Sequence, residues 1–178
     1  MKIMLKNVRL SFPSLFKTEW YAGADTEKFA ATFLISKSDT KTVTAIETAC
    51  KQSLVEKYGE GKVAKVAKGF KMPLVDGDDK EYQGYQDHYS IKATTKKRPT
   101  LVNHDKTPIV EEDGTLYGGC YVNASIDVWV MDNSYDKKVV ASLNAIQFVK
   151  DGEAFGTKSE GADCFESLPS DDDDDFLS

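Results

Sequence analysis

Strict alternation of apolar and polar residues makes the stretch 117–149 the strongest structural signal in the chain. From position 120 to 131, one parity carries small and β-branched apolar residues, and the other carries mainly polar ones. This period of two predicts a strand that is buried on one face. Turn-forming residues follow at 132–136, and a second apolar strand then changes parity near Asn144-Ala145. We predict a β-hairpin whose second strand contains a bulge.

Three shorter strands are predicted ahead of this hairpin. An alternating pattern covers 2–12, with a slip at Asn7, and 89–97, whereas the strand predicted at 28–36 is apolar on both faces. Phe12 shares the apolar parity of Val8 and Leu10, which places it on the core side. Because proline cannot donate a ladder hydrogen bond, we expect Pro13 to end this strand and a loop to cover 13–27.

A helix is predicted between the second and third strands. Apolar residues recur at helical spacing from Val43 to Tyr58, after a possible cap at Ser38 or Asp39 and before Gly59. Strands outnumber helices and turn signals recur along the chain. The pattern therefore predicts a mainly β domain, an antiparallel barrel or sandwich with a helix packed at one end.

Composition and length are those of a single globular domain. The chain has 178 residues, of which 40% are hydrophobic and 29% are charged. It has no apolar run approaching the roughly 20 residues that span a bilayer, and no secretory signal pattern, so we expect a cytoplasmic protein. The three cysteines, Cys50, Cys120 and Cys164, are far apart in sequence and predict neither a disulfide framework nor a zinc site.

The net charge of −6 conceals an uneven distribution. Positions 159–178 hold eight acids and no bases, so the other positions hold 23 bases and 21 acids, a net of +2. The chain is thus divided into a domain at 1–155 and an acidic tail at 156–178, which we expect to be disordered. An acidic isoelectric point therefore does not exclude a nucleic-acid partner.

Candidate chemistry of the domain favours single-stranded nucleic acid, which needs cations for phosphates and exposed rings for stacked bases. Tyr121 and Trp129 lie on the polar parity of the hairpin strand, and Trp20 and Tyr21 lie in the predicted loop. The candidate cations are Lys92, Lys96, Lys97 and Arg98. We predict that these eight residues bind DNA.

Two other classes of function remain open at this level. A metal-dependent nuclease could use the carboxylates of Asp76, Asp78, Asp79 and Glu81, although a solvated turn explains them more simply. An acidic adaptor or DNA mimic would act through the tail alone. No cofactor motif is present, and the spaced lysines at 62, 65, 68 and 71 are expected to form a solvated face.

The tail combines charge with an aromatic residue. Its end segment consists of Asp171, Asp172, Asp173, Asp174 and Asp175 followed by Phe176. A basic pocket with an apolar floor could bind both parts of this segment. We therefore predict that the tail recruits replication or recombination proteins and competes with DNA for the domain, which could also form oligomers.

Four segments resemble a family of phage single-stranded DNA-binding proteins. They are 29–35 (FAATFLI), 97–102 (KRPTLV), 118–126 (GGCYVNASI) and 143–153 (LNAIQFVKDGE). The resemblance implies an oligonucleotide-binding (OB) barrel with single-stranded DNA across its sheet and loops, no enzymatic activity and no cofactor. It also implies a role in phage DNA replication or recombination, and the tail is similar to those of bacterial and phage single-strand binders.

Overall fold

The computed structural model describes residues 1–20, 26–134 and 136–155. Its strands are β1 (Lys2–Glu19), β2 (Lys28–Ser36), β3 (Leu74–Asp76), β4 (His88–Thr95), β5 (Thr100–Val102), β6 (Tyr121–Asp132) and β7 (Lys137–Lys150). The helices are α1 (Thr40–Tyr58) and α2 (Val63–Val66), and single 3₁₀ turns cover Ala67–Gly69, Gly77–Asp79 and Glu111–Asp113. Within these ranges, no helix has the length and apolar character needed to cross a membrane.

Five strands close into a barrel. The hydrogen-bonded order is β2-β1-β6-β7, and β2 also pairs with β4. A short parallel pairing of β4 with β7, at Ala93–Ala141 and Thr94–Ser142, closes the circle. The strands β3 and β5 extend the sheet beyond the barrel. A closed five-stranded barrel of this kind is the OB fold, so the predicted fold class is confirmed.

β1 is longer than the sequence pattern predicted, because irregularities in its pairing let it serve both halves of the barrel. Its first half pairs with β6 and its second half with β2. The register shifts at the predicted slip, where Asn7 has φ 52°, then between Ser11 and Ser14, and a third time between Ser14 and Glu19. Pro13 lies inside this second irregularity, where no ladder hydrogen bond is required of it. The prediction that Pro13 ends the strand was therefore wrong.

α1 packs against β6 and matches its predicted bounds closely. Asp39 caps it by accepting a hydrogen bond from the Thr42 backbone N–H at 3.3 Å, and Gly59 follows its last turn at φ 88°. Ile46 and Leu54 are fully buried, and Ser53 Oγ donates to the carbonyl of Ala49 in the preceding turn. The expected apolar stripe is therefore the face that covers the barrel.

The predicted hairpin is confirmed as β6 and β7. The inward parity of β6 is buried from Val122 to Val128. The pairing shifts between Ser125–Ala145 and Ile126–Leu143, which leaves Asn144 as the extra residue of a bulge. That bulge allows Leu143 and Ile146 both to reach the core despite their opposite parities. The core consists of the inward residues of all five barrel strands together with α1.

Candidate nucleic-acid interface

An open groove crosses the outside of the barrel over the second half of β1, β2, β4 and β3. It has a volume of about 600 Å³. We call this surface the groove face. Its lining is formed by Phe12, Pro13, Ser14, Glu19, Thr32, Pro73, Val75, Lys80, Tyr82, Tyr85, Ser90 and Lys92.

Two exposed rings stand on the groove face. Phe12 is 59% exposed and Tyr82 is 50% exposed, and their rings meet edge to face with centroids 5.0 Å apart. Tyr85 supports Tyr82 from below at 5.2 Å, and its hydroxyl shares a hydrogen bond of 2.9 Å with Ser11 Oγ. Burial raises the pKa of Tyr85. The outer rings therefore rest on a fixed base.

Sequence reasoning missed Phe12 because it assigned the ring to the core side. The residue has φ 45°, in the left-handed region, at the second irregularity of β1. This backbone turn directs the side chain outward although its parity matches that of Leu10. The Tyr82-to-Tyr85 pair was visible in the sequence as a cluster of tyrosines before β4, but its position relative to Phe12 depends on the fold.

Two lysines lie on the same surface. Lys92 is on β4 directly opposite Thr32 of β2, and Lys80 is on the segment before Tyr82. Partial burial lowers the pKa of Lys92, while Glu19 opposes this change. Lys92 was among the predicted DNA-binding residues, and the structure places it in the groove with the exposed rings.

A charged cluster fixes the segment that carries Lys80 and Tyr82. Lys37 Nζ lies 2.8 Å from Asp76 Oδ1 and 2.6 Å from Asp78 Oδ2. These contacts lower the pKa of both carboxyls and raise that of Lys37. Two of the four carboxylates that a nuclease would need, those of Asp76 and Asp78, are thus bound to a lysine. In the described part of the chain, no three His, Cys, Asp or Glu side chains are grouped to hold a metal ion.

Tyr121 and Trp129 lie on a different surface, the outside of β6 with the first half of β1 and β7, which we call the hairpin face. Eight residues separate them, or roughly 26 Å along a strand. Trp129 is 42% exposed and its Nε1–H donates to Ser142 Oγ at 2.8 Å. They share the predicted polar parity, but they are not neighbours of Phe12 and Tyr82.

Arg9 connects the two faces. Its guanidinium carbon lies 4.1 Å from the ring centroid of Phe155 and 5.6 Å from that of Tyr121. The same side chain donates to the carbonyls of Gly119 and Glu153 at 3.0 and 2.6 Å. Phe155 is the last described residue, so the chain leaves the described domain beside Arg9.

The position of Phe155 depends on a glycine. Its ring lies against Gly84, which has φ 85°, and a Cβ at Gly84 would overlap that ring. The Phe155 backbone N–H also donates to the carbonyl of Gly118 at 2.8 Å. Since Gly84 directly precedes Tyr85, the segment 151–155 ends at the border of the groove face.

The remaining predicted residues are dispersed. Trp20 follows Glu19 at the end of the groove and is 65% exposed. Lys96, Lys97 and Arg98 form the exposed connection between β4 and β5, where Arg98 Nη2 donates to the Phe16 carbonyl at 3.4 Å. Tyr21 and the tail residues Asp171 to Phe176 lie outside the described residues.

The amino-acid sequence has relatives among phage proteins. The model of the family described as Enterobacter phage Enc34, ssDNA-binding protein, matches residues 1–177. Protein p50 of Acyrthosiphon pisum secondary endosymbiont phage 1 is 39% identical over 160 residues, which cover 87% of this chain and 86% of p50.

Solved structures show the same fold. The single-stranded DNA-binding protein from bacteriophage Enc34, in complex with ssDNA, superposes with a TM-score of 0.75 at 26% identity, over 87% of this chain and 89% of that one. Gp2.5, a single-stranded DNA-binding protein encoded by bacteriophage T7, gives a TM-score of 0.60 at 12% identity, over 94% of this chain and 98% of that one. The likeness to gp2.5 shows the fold alone.

Proposed function

The chain belongs to the Enc34 single-stranded DNA-binding protein family, and we propose that it binds single-stranded DNA without sequence preference along the groove face. The observation that carries this proposal is the exposed pair Phe12 and Tyr82, which lies beside Lys80 and Lys92 in one open groove. Every base has a π face, so rings of this kind bind any sequence. The lysines contact the phosphates between stacked bases.

The predicted residues outside the groove face extend this interface. Trp20, at the end of the groove, supplies a further ring, and the Lys96–Arg98 connection supplies phosphate contacts. Tyr121 lies beside Arg9, which connects the two faces, and contacts DNA that follows this connection. Trp129 lies toward the other end of β6 and makes the weakest contribution. These assignments extend the DNA path from the groove face toward the hairpin face.

The proposed setting is phage DNA replication or recombination in the cytoplasm of the host cell. Coating of single strands protects them and removes secondary structure, and neither step needs a catalytic residue. Asp171–Asp175 and Phe176 serve as a recruitment segment for replication or recombination proteins. Their charge also opposes DNA binding, since a run of aspartates resembles a run of phosphates.

The decisive experiment is a titration of labelled oligo-dT across a salt series. We expect tight binding that weakens with salt, because bound phosphates release counterions. Replacing Lys96, Lys97 and Arg98 by alanine is expected to reduce the log–log salt slope by roughly 0.7 for each lost phosphate contact. Failure of the wild-type protein to bind oligo-dT at low salt would refute the proposed function.

Two control measurements address the other classes of function. Incubation of the same oligonucleotide with magnesium should leave it intact, whereas cleavage that a chelator abolishes would favour the nuclease. Replacing Asp171–Asp175 by asparagine should increase the affinity for DNA, most strongly at low salt where screening is weakest. An acidic adaptor or DNA mimic would instead bind no DNA with either tail.

A further inference from the structure

A second groove, apolar rather than polar, lies between α1 and α2. Its volume is about 420 Å³. The lining comes from α1, from α2 and the turn after it, and from the segment leading into β3: Ile46, Glu47, Cys50, Lys51, Leu54, Val63, Ala64, Ala67, Met72 and Leu74. We call this surface the helix groove. Met72 and Ala64 are exposed there, so apolar surface faces solvent.

The surroundings of the helix groove are basic. Residues 41–71 contain seven lysines and only three glutamates. Lys62, Lys65, Lys68 and Lys71 are all exposed along the α2 side. Lys71 also pairs through its backbone with Lys137 and Val139, which brings the basic start of β7 to the same end of the barrel. An apolar floor with a cationic rim fits a ligand that combines an apolar side chain with several negative charges.

The tail has this composition. We propose that Phe176-Leu177 of the same molecule docks in the helix groove while Asp171–Asp175 lie along the lysines of residues 62–71. Asp171 is 16 positions beyond Phe155, a reach of up to roughly 50 Å for an extended chain. A domain of this size has a radius of gyration of about 15 Å. The segment can therefore reach the helix groove from the point where the described chain ends.

The helix groove is separated from the groove face by one stretch of chain. Met72 and Leu74 line the helix groove, whereas Pro73 and Val75 line the groove face. A docked tail would place five negative charges close to the DNA path without occupying the positions of Phe12 and Tyr82. This deepens the tail function proposed above, because the tail then weakens DNA binding from a neighbouring site.

The alternation at 72–75 provides an NMR test in the full-length protein. With methyl-labelled Met, Leu and Val and no DNA present, Phe176→Ala should shift the resonances of Met72 and Leu74 more than that of Val75. Met4, an exposed residue of β1 on the hairpin face, serves as an internal reference. The proposal is overturned if Val75 responds as much as or more than Met72 and Leu74, which would locate the tail in the DNA groove. It is equally overturned if none of the three responds.

A double-mutant comparison tests the site from the other side. Ala64 is exposed, so Ala64→Glu adds a charge to the helix groove without disturbing the core. In that background Phe176→Ala should no longer change the affinity for oligo-dT, whereas in the matched Ala64→Gln background it should still increase it. Equal effects of Phe176→Ala in both backgrounds would refute docking at this site. If the wild-type protein does not bind oligo-dT at all, the proposed function is refuted. The NMR experiment, which contains no DNA, still tests docking of the tail in that case.

Discussion

The groove face and the hairpin face are two outer surfaces of one barrel, and each carries a pair of aromatic residues. On the groove face, Phe12 and Tyr82 are in contact and a buried Tyr85 supports them. On the hairpin face, Tyr121 and Trp129 are at opposite ends of one strand, and the indole N–H of Trp129 is bonded to Ser142. Of these four described rings, Phe12, Tyr82 and Trp129 are exposed and Tyr121 is half-buried, and it is the groove-face pair whose rings are in contact.

The difference has a physical origin in backbone irregularity. β6 is a regular strand at its outward positions, so side chains of one parity are spaced evenly and cannot converge. β1 contains the irregularity at Phe12, and a loop brings Tyr82 back over it. Concave, convergent surfaces of this kind need a break in the strand pattern, and they are where bases can stack in succession.

The largest effect on DNA binding is expected from the groove-face rings. Phe12→Ala or Tyr82→Ala should each weaken oligo-dT binding by roughly 1–3 kcal/mol, the value of one base–aromatic stack. The double variant should lose more than either single one. Fluorescence anisotropy titration measures this, with thermal unfolding as the control for folding. Normal binding by the folded double variant would show that the two faces do not differ in the proposed way.

The glycine beneath Phe155 offers a comparison of stability between two loops. Gly84 and Gly114 both have positive φ, of 85° and 62°, but only Gly84 faces a ring. Gly114→Ala should lower the free energy of unfolding by about 1–2 kcal/mol, the cost of a left-handed L-residue. Gly84→Ala should cost more, because it also displaces Phe155. Chemical denaturation measures the free energy of unfolding of both variants. Equal decreases in this free energy would mean that Phe155 is not held against Gly84.

A smaller effect on DNA binding is expected on the hairpin face. Tyr121→Ala should weaken oligo-dT binding by about 1 kcal/mol, the lower end of the range for one stack, and Trp129→Ala by less. Trp129→Phe keeps a ring while removing the N–H donor to Ser142, and serves as the matched control. Losses as large as those of Phe12→Ala would show that the hairpin face contributes as much to DNA binding as the groove face. Unchanged binding with lowered thermal stability would make both rings structural.

The smallest effect concerns the pH dependence of the segment that holds Tyr82. Asp76 and Asp78 have lowered pKa values because they bind Lys37, so their contribution to stability is present above their unfolded pKa of about 3.9. It is lost as the pH falls through the lower folded values. Lys37→Gln should therefore lower the melting temperature slightly at pH 7, and the difference from wild type should shrink below about pH 4. A difference independent of pH would exclude this ionic origin.

Periodicity in the sequence was sufficient for the regular elements. The alternation of β6, the slip at Asn7, the parity change near Asn144 and the helix from Thr40 to Tyr58 all depend on neighbours a few positions apart. Such patterns record which face of an element is buried, and burial is the dominant driving force of folding. The mainly β fold with one long helix could therefore be predicted from periodicity, whereas the pattern left barrel and sandwich open and the resemblance to a family implied the barrel. The uneven distribution of charge, with eight acids and no bases at 159–178, is likewise a property of the amino-acid sequence.

The groove was decided by the tertiary structure. The outward turn of Phe12 follows from an irregularity that the pairing of β1 with both β2 and β6 requires, and parity alone places this ring on the wrong side. Its contact with Tyr82 joins positions 70 residues apart, and the Lys37 contacts with Asp76 and Asp78 join positions 39 and 41 residues apart. The pattern of apolar and polar residues over a few positions does not indicate which distant residues come into contact, because the folding of the whole barrel sets the distance between them.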